Sequence, residues 1–105
     1  MGNQGCSLKG VEPVNVTDFE RLEQVIGIIS NKTRLAILSI LLKYDEACAC
    51  ELEILLGMRQ PTITSHLIKL YNAGTLKKRE YWKFIYYSIN EKFRPLISEI
   101  IKFKD

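Results

Sequence analysis

Leu52-Glu53-Ile54-Leu55-Leu56-Gly57-Met58-Arg59-Gln60-Pro61-Thr62-Ile63-Thr64-Ser65-His66-Leu67-Ile68-Lys69-Leu70 is the stretch on which the fold turns. Leu52, Leu55 and Leu56 mark a short helix by their spacing. Gly57 is placed to end it, because glycine takes the left-handed backbone of a helix terminus without steric cost. Pro61 suits the first turn of the next helix, where a missing amide goes unneeded. In that helix Ile63, Leu67 and Leu70 fall on one inner face, leaving Gln60, Thr62, Ser65, His66 and Lys69 outward. Two short helices joined by a tight turn at Gly57-Met58-Arg59 form a helix-turn-helix.

Upstream, Thr17 and Glu20 stand at capping-box spacing, and Phe19, Leu22, Val25, Ile26 and Ile29 follow with a helical period. Ser30 or Asn31 caps a second helix that runs to about Tyr44, with Leu35, Leu38, Leu41 and Leu42 inward. Asp45-Glu46 breaks that pattern. Downstream of Gly74 the period changes. Lys77-Lys78-Arg79 and Phe84-Ile85-Tyr86-Tyr87-Ser88-Ile89 read as a two-stranded hairpin, a wing beside the helix-turn-helix. A last helix starts at Asn90 or Arg94, with Leu96, Ile97, Ile100 and Ile101 as its apolar stripe.

The expected fold is therefore mostly α with a small β-hairpin (α+β), a winged helix-turn-helix. Residues 1–16 form an arm, and residues 17–105 form the DNA-binding and dimerisation domain. The apolar faces of the two terminal helices exceed what a chain of 105 residues needs for its own core. A homodimer interface through Phe19, Leu22, Ile26, Leu96, Ile97, Ile100 and Ile101 is the economical use for them; completing the monomer core is the alternative.

At 47% hydrophobic and 26% charged residues the chain has a globular composition, not a disordered one. The longest apolar run, near Ile37–Leu42, is far short of a membrane span, and no charged start precedes an apolar stretch. No membrane association is expected. Met1-Gly2-Asn3-Gln4-Gly5-Cys6-Ser7 superficially matches a lipidation start, but Cys6 stands where Ser or Thr is required, so a solvated arm is the reading. Three cysteines, an odd number, argue against a disulfide framework and for a reducing, cytoplasmic setting.

Charge is unevenly spread. Residues 58–87 carry six basic side chains (Arg59, Lys69, Lys77, Lys78, Arg79, Lys83) against one acidic, Glu80, while residues 1–57 are net acidic. The basic segment is where a polyanion would bind, with a solvated charged face as the alternative. The helix pattern sharpens this toward double-stranded DNA. Glutamine bonds adenine in two places, Ser and Thr reach bases or phosphates, and a helix N-terminus attracts phosphate. Ser and Thr are poor helix formers, so Thr62, Thr64 and Ser65 look chosen for contact. Arg59, Gln60, Thr62, Thr64, Ser65, His66 and Lys69 are the candidate DNA contacts, joined by Arg79 and Lys83 flanking the wing tip. His66, the sole histidine, cannot build a metal site alone and faces DNA or stabilises the turn. Tyr81 and Trp82 either stack on DNA sugar or pack on the hairpin.

Asn31-Lys32-Thr33-Arg34-Leu35 through Tyr86-Tyr87-Ser88-Ile89 resembles the ArsR/SmtB family of metal-sensing repressors. Gln60-Pro61-Thr62-Ile63-Thr64-Ser65-His66-Leu67, then Leu70, Ala73-Gly74 and the Tyr86-Tyr87 pair, look like that family's recognition helix and wing. The resemblance implies a homodimer on a palindromic operator, with repression relieved by an inducer. One departure lies in the wing: the family often carries Gly before the basic residue at the tip, and here Trp82 precedes Lys83. Tryptophan takes a positive φ poorly, which leaves the turn geometry open.

Ala47-Cys48-Ala49-Cys50-Glu51-Leu52 looks like the family's Cys-x-Cys-Asp-Leu sensing motif. Thiols two residues apart point about 200° from one another on an ideal helix, so they meet one ion only where the segment is extended or distorted. A helix start also favours thiolate. Soft thiolates select thiophilic ions: Cd(II), Pb(II), Zn(II), As(III) and Sb(III). Cys6 is the candidate third sulfur, from its own subunit or the partner's, or else a passive thiol on the arm. Three sulfurs suit As(III) or Pb(II) better than four-coordinate structural zinc. No cofactor is obligatory; As(III), Pb(II) or Cd(II) is the expected inducer. Residues 90–105 hold no His or Cys, so the zinc site some members carry in the last helix is not expected. Two other functions compete: a thiol-redox repressor using Cys48, Cys50 or Cys6, and a metal-binding protein with no operator. An enzyme is not expected, because with a lone His66 and no nearby acid Cys48 and Cys50 lack an evident general base.

Overall fold

The structure is a computed structural model and describes residues 8–105; Cys6 lies outside the described residues. A 3-10 turn, Val16–Phe19, leads into α1 (Glu20–Ile29), α2 (Lys32–Tyr44), β1 (Glu46–Cys48), α3 (Ala49–Leu56), α4 (Gln60–Asn72), β2 (Leu76–Tyr81), β3 (Phe84–Ile89) and α5 (Arg94–Ile101).

Local chemistry sets most of these boundaries. Asn31 caps α2, its side-chain oxygen accepting from the amides of Thr33 at 3.0 Å and Arg34 at 3.1 Å. Gly57 ends α3 in the left-handed region at φ 64°. Pro61 and Pro95 sit in the first turns of α4 and α5. The Thr17–Glu20 capping box does not form. Asn15 caps the preceding 3-10 turn instead, its side-chain oxygen taking both the amide and the hydroxyl of Thr17, so that hydroxyl is already committed.

The sheet holds three antiparallel strands in the order β1-β3-β2, not the two of a bare hairpin. The added strand is Glu46-Ala47-Cys48, which pairs with Ser88, Tyr87 and Tyr86 of β3 in that register. Three residues are too few to show an alternating pattern, so this strand exists because β3 offers it an edge. Asp45, at φ 69°, turns the chain from α2 into it.

Ile37, Leu38 and Leu41 of α2, Leu52 of α3 and Ile63, Leu67 and Leu70 of α4 are fully buried, together with Val25, Ile89 and Ile97. Each such side chain contributes about 1.5–3 kcal/mol on burial, and α2 packs against α4, α5, β1 and β3. Of the three leucines that mark α3, Leu52 alone is buried; Leu55 is 53% exposed. Among the expected interface residues, Phe19 at the end of the 3-10 turn and Leu22 and Ile26 of α1 stand exposed, and Leu96, Ile100 and Ile101 of α5 are half-buried. Ile97 is corrected: at 1% exposure it belongs to the monomer's core, because α5 turns that residue onto the α2 side of the molecule. Among the described residues no single helix is long and apolar enough to cross a membrane.

Candidate nucleic-acid interface and cysteine cleft

The inner face of α4 is anchored by its three buried apolar residues, which fixes what the other face presents. Arg59, Gln60, Thr62, Ser65 and Lys69 are exposed; Thr64 and His66 are half-buried. Ile68, at 48% exposure, stands among the polar residues of the outer face, and polarity alone did not single it out.

His66 serves as a brace. Arg34 of α2 donates from Nε to His66 Nδ1 at 3.1 Å and from Nη1 to the Ile28 carbonyl at 3.1 Å. Burial, then the charges of Arg34 and Lys69, hold the imidazole below its ordinary value. The ring is therefore neutral near pH 7, with Nδ1 accepting and the proton on Nε2.

The far end of α4 is held just as firmly. Arg21 of α1 donates to the Ala73 carbonyl at 2.7 Å, and the buried Thr75 hydroxyl donates to the Leu70 carbonyl at 2.7 Å. Asn90 donates to the Gly74 carbonyl at 2.9 Å. The recognition-type helix thus shares one junction with α1 and with the base of the β2–β3 wing.

At the wing tip Trp82-Lys83 links Tyr81 to its partner Phe84. Trp82 does take a positive φ, 59°, and Lys83 does not, the order found in a type II′ turn. Arg79 stands lower on the wing. Its Nε and Nη2 donate to the two carboxylate oxygens of Glu46 in β1, at 3.0 and 2.5 Å, and its guanidinium lies 4.9 Å from the Tyr86 ring centre. This bidentate contact lowers the Glu46 carboxyl and raises Arg79. Nothing in the charge pattern marked Glu46 as its partner, 33 residues away.

Cys48 is the N-cap of α3 in extended backbone (φ −93°, ψ 167°), and Cys50 follows in the first helical turn. Cys48 and Glu51 form a reciprocal capping box in which the Glu51 carboxylate accepts from the Cys48 amide at 2.9 Å. Cys48 is 5% exposed and Cys50 is exposed. The expectation that the helix start favours thiolate fails at Cys48. Burial pushes its thiol up, outweighing the Glu51 amide that draws it down. Both thiols line a cleft of about 240 Å³ whose other walls are Gln60 and Thr64 of α4 and Lys83, Phe84, Ile85 and Tyr87 of the wing. Among the described residues no group of three or more His, Cys, Asp or Glu side chains stands ready to hold a metal.

Two helices at a tight turn, followed by a β2–β3 wing, define a winged helix-turn-helix regulator. The profile of "Bacterial regulatory protein, arsR family" matches residues 31–78. The chain is 32% identical over 78 residues to the arsenical resistance operon repressor of Escherichia coli, covering 74% of this chain and 67% of that one. It is 34% identical over 89 residues to an HTH-type transcriptional regulator of Methanocaldococcus jannaschii, covering 83% and 94%. Among solved structures, HlyU from Vibrio cholerae superposes with a TM-score of 0.76 at 21% identity, over 84% of this chain and 96% of that one. The transcriptional repressor PagR of Bacillus anthracis superposes with a TM-score of 0.71 at 27% identity, over 84% and 97%. The chain belongs to the ArsR family. At the level of that family it is a DNA-binding transcriptional repressor, not an enzyme.

Proposed function

We propose that this protein binds double-stranded operator DNA as a homodimer and leaves it when Cys48 and Cys50 capture a thiophilic ion, arsenite, Pb(II) or Cd(II). The observation that carries the reading is the cleft in which both cysteines meet the first turn of α4 and the tip of the wing. It is supported by relatives whose names tie them to arsenical and cadmium resistance.

In this reading residues 17–105 form the working unit, and dimerisation uses the exposed face of α1, Phe19, Leu22 and Ile26, with Leu96, Ile100 and Ile101 of α5. Gln60, Thr62, Ser65 and Lys69 face the major groove, with Arg59, Thr64 and Lys83 on backbone phosphates. His66 orients α4 through Arg34 rather than reading bases, and Arg79 acts on the wing through Glu46. Cys6 would add a third sulfur.

A bound thiophilic ion supplies metal–sulfur bonds to deprotonated cysteines. To offer its sulfur, Cys48 must lose its proton, and in this reading the sulfur then turns from the Glu51 amide of the capping box toward the ion. That loosens the first turn of α3, which packs directly on α4. The rearranged α3–α4 pair presents the outer face of α4 in a geometry that binds DNA poorly, and by linkage DNA weakens ion capture by the same factor.

The test is fluorescence anisotropy of a duplex from upstream of the encoding gene, under anaerobic reducing conditions, with arsenite, Pb(II) and Cd(II) added in turn. The Cys48→Ser, Cys50→Ser double variant should bind the duplex as the wild type does and ignore every ion. Release of DNA from that variant by an ion sinks the mechanism. Release of the wild type by oxidant in the absence of any ion marks the thiol-redox reading instead.

A further inference from the structure

Trp82 is the most exposed of the large apolar side chains among the described residues, at 86%, and it sits at φ 59°. Each feature carries a cost. An indole in water forfeits its burial, and a side chain with a Cβ is strained where glycine is at ease. The other non-glycine residue at positive φ among the described residues is Asp45, a type that tolerates it. Glycine at position 82 would remove both costs and keep the two-residue turn.

The wing carries this ring out into solvent. The β2–β3 register runs unbroken from Leu76↔Ile89 to Tyr81↔Phe84, so Trp82 and Lys83 alone form the tip. Tyr81, 56% exposed, stands with its ring centre 6.4 Å from that of Trp82. Lys83 follows directly, and it shares the cysteine cleft's rim with Gln60 and Thr64 of α4. An unburied indole, next in the chain to a lysine that lines one cleft with α4, matches the chemistry of the minor groove. Flat apolar side chains enter there against sugar and base edges, and an N–H donor meets the acceptors of A·T pairs.

We infer that Trp82 is a minor-groove wedge: its indole inserts beside the base edges of duplex DNA flanking the helix-contacted site, while Lys83 takes the adjacent phosphate. The inference rests on the DNA-binding reading above and deepens it. The wedge adds affinity by contact and dehydration, not by counterion release, so its share is independent of salt.

Trp82 is the chain's sole tryptophan, so its emission reports on the contact directly. A duplex from upstream of the encoding gene is added to the wild-type protein while a label on the DNA reports anisotropy. The expected result is binding accompanied by quenching of the indole. Trp82→Asn, which tolerates the turn but lacks the ring, should bind about tenfold more weakly with an unchanged salt slope. Trp82→Phe should recover most of the loss, and Lys83→Gln should lower the slope by about one. Binding with unaltered emission, or a Trp82→Asn variant that binds as the wild type does, overturns the wedge and leaves the operator reading standing. Absence of any binding overturns both.

Discussion

Arg79 on β2 grips Glu46 on β1 with both ends of its guanidinium fork, at 3.0 and 2.5 Å. Two residues beyond Glu46 lies Cys48, at the end of the same strand. The contact therefore ties the wing to the segment that carries the thiols, and β3 runs between them, pairing with both.

If that tie passes a change at Cys48 to the wing, Glu46→Gln should bind ions as the wild type does yet release DNA less completely. Ion titration followed by thiol absorbance, set against anisotropy, separates the two. Equal loss of ion affinity and release would assign Glu46 to the ion site instead. The tie is also acid-sensitive. Arg79 lowers the Glu46 carboxyl below its usual 4.5, so its stabilisation is present above that value and fades as the pH falls through the lowered one.

The two described thiols should differ sharply toward an aromatic disulfide reagent. In a Cys6→Ser background, exposed Cys50 should react fast, and Cys48, buried with its thiol pushed up, should react slowly. Timed alkylation with mass spectrometry reads the order, and equal rates would contradict the burial of Cys48.

His66 makes stability fall on the acid side. Its folded value lies below the ordinary 6.5, so the unfolded chain binds the proton more tightly. The contribution is full above about pH 6.5 and is lost as the pH falls through the lowered value. Urea melts of the wild type and of His66→Gln between pH 7.5 and about 5 test this, and the variant's profile should be flatter over that window.

Two isoleucines on α4 should separate stability from contact. Ile63→Ala empties a fully buried position and should cost about 2–5 kcal/mol. Ile68→Ala, at a half-exposed position, should change stability by about 0.5 kcal/mol or less, so any loss of DNA affinity there reports on the interface. Denaturant melts and anisotropy on the same samples decide it.

Much of the architecture was readable before any coordinates. Gly57, Pro61 and Asn31 act through their own backbone chemistry, and the inner face of α4 follows from helical spacing, so Ile63, Leu67 and Leu70 were legible as core. Less was legible around the cysteines. Their motif is visible in the sequence, but the strand that ends in Cys48 is not: the pattern shows only a break at Asp45-Glu46, because Glu46-Ala47-Cys48 has no period of its own.

The division follows range. Helix ends, the turn at Gly57 and the amphipathic faces depend on neighbours within about four residues, and the chain order states those neighbours outright. The Arg79–Glu46 fork, the Arg34–His66 brace and the cleft joining Cys48 and Cys50 to Gln60, Thr64 and Lys83 unite residues tens of positions apart. Whether such groups meet depends on how α2, α4 and the sheet pack. Packing also set the state of Cys48, since burial opposes the thiolate that its place at a helix start favours. Ile97 follows the same rule: spacing put it on an apolar stripe, and only the docking of α5 turned it into the core.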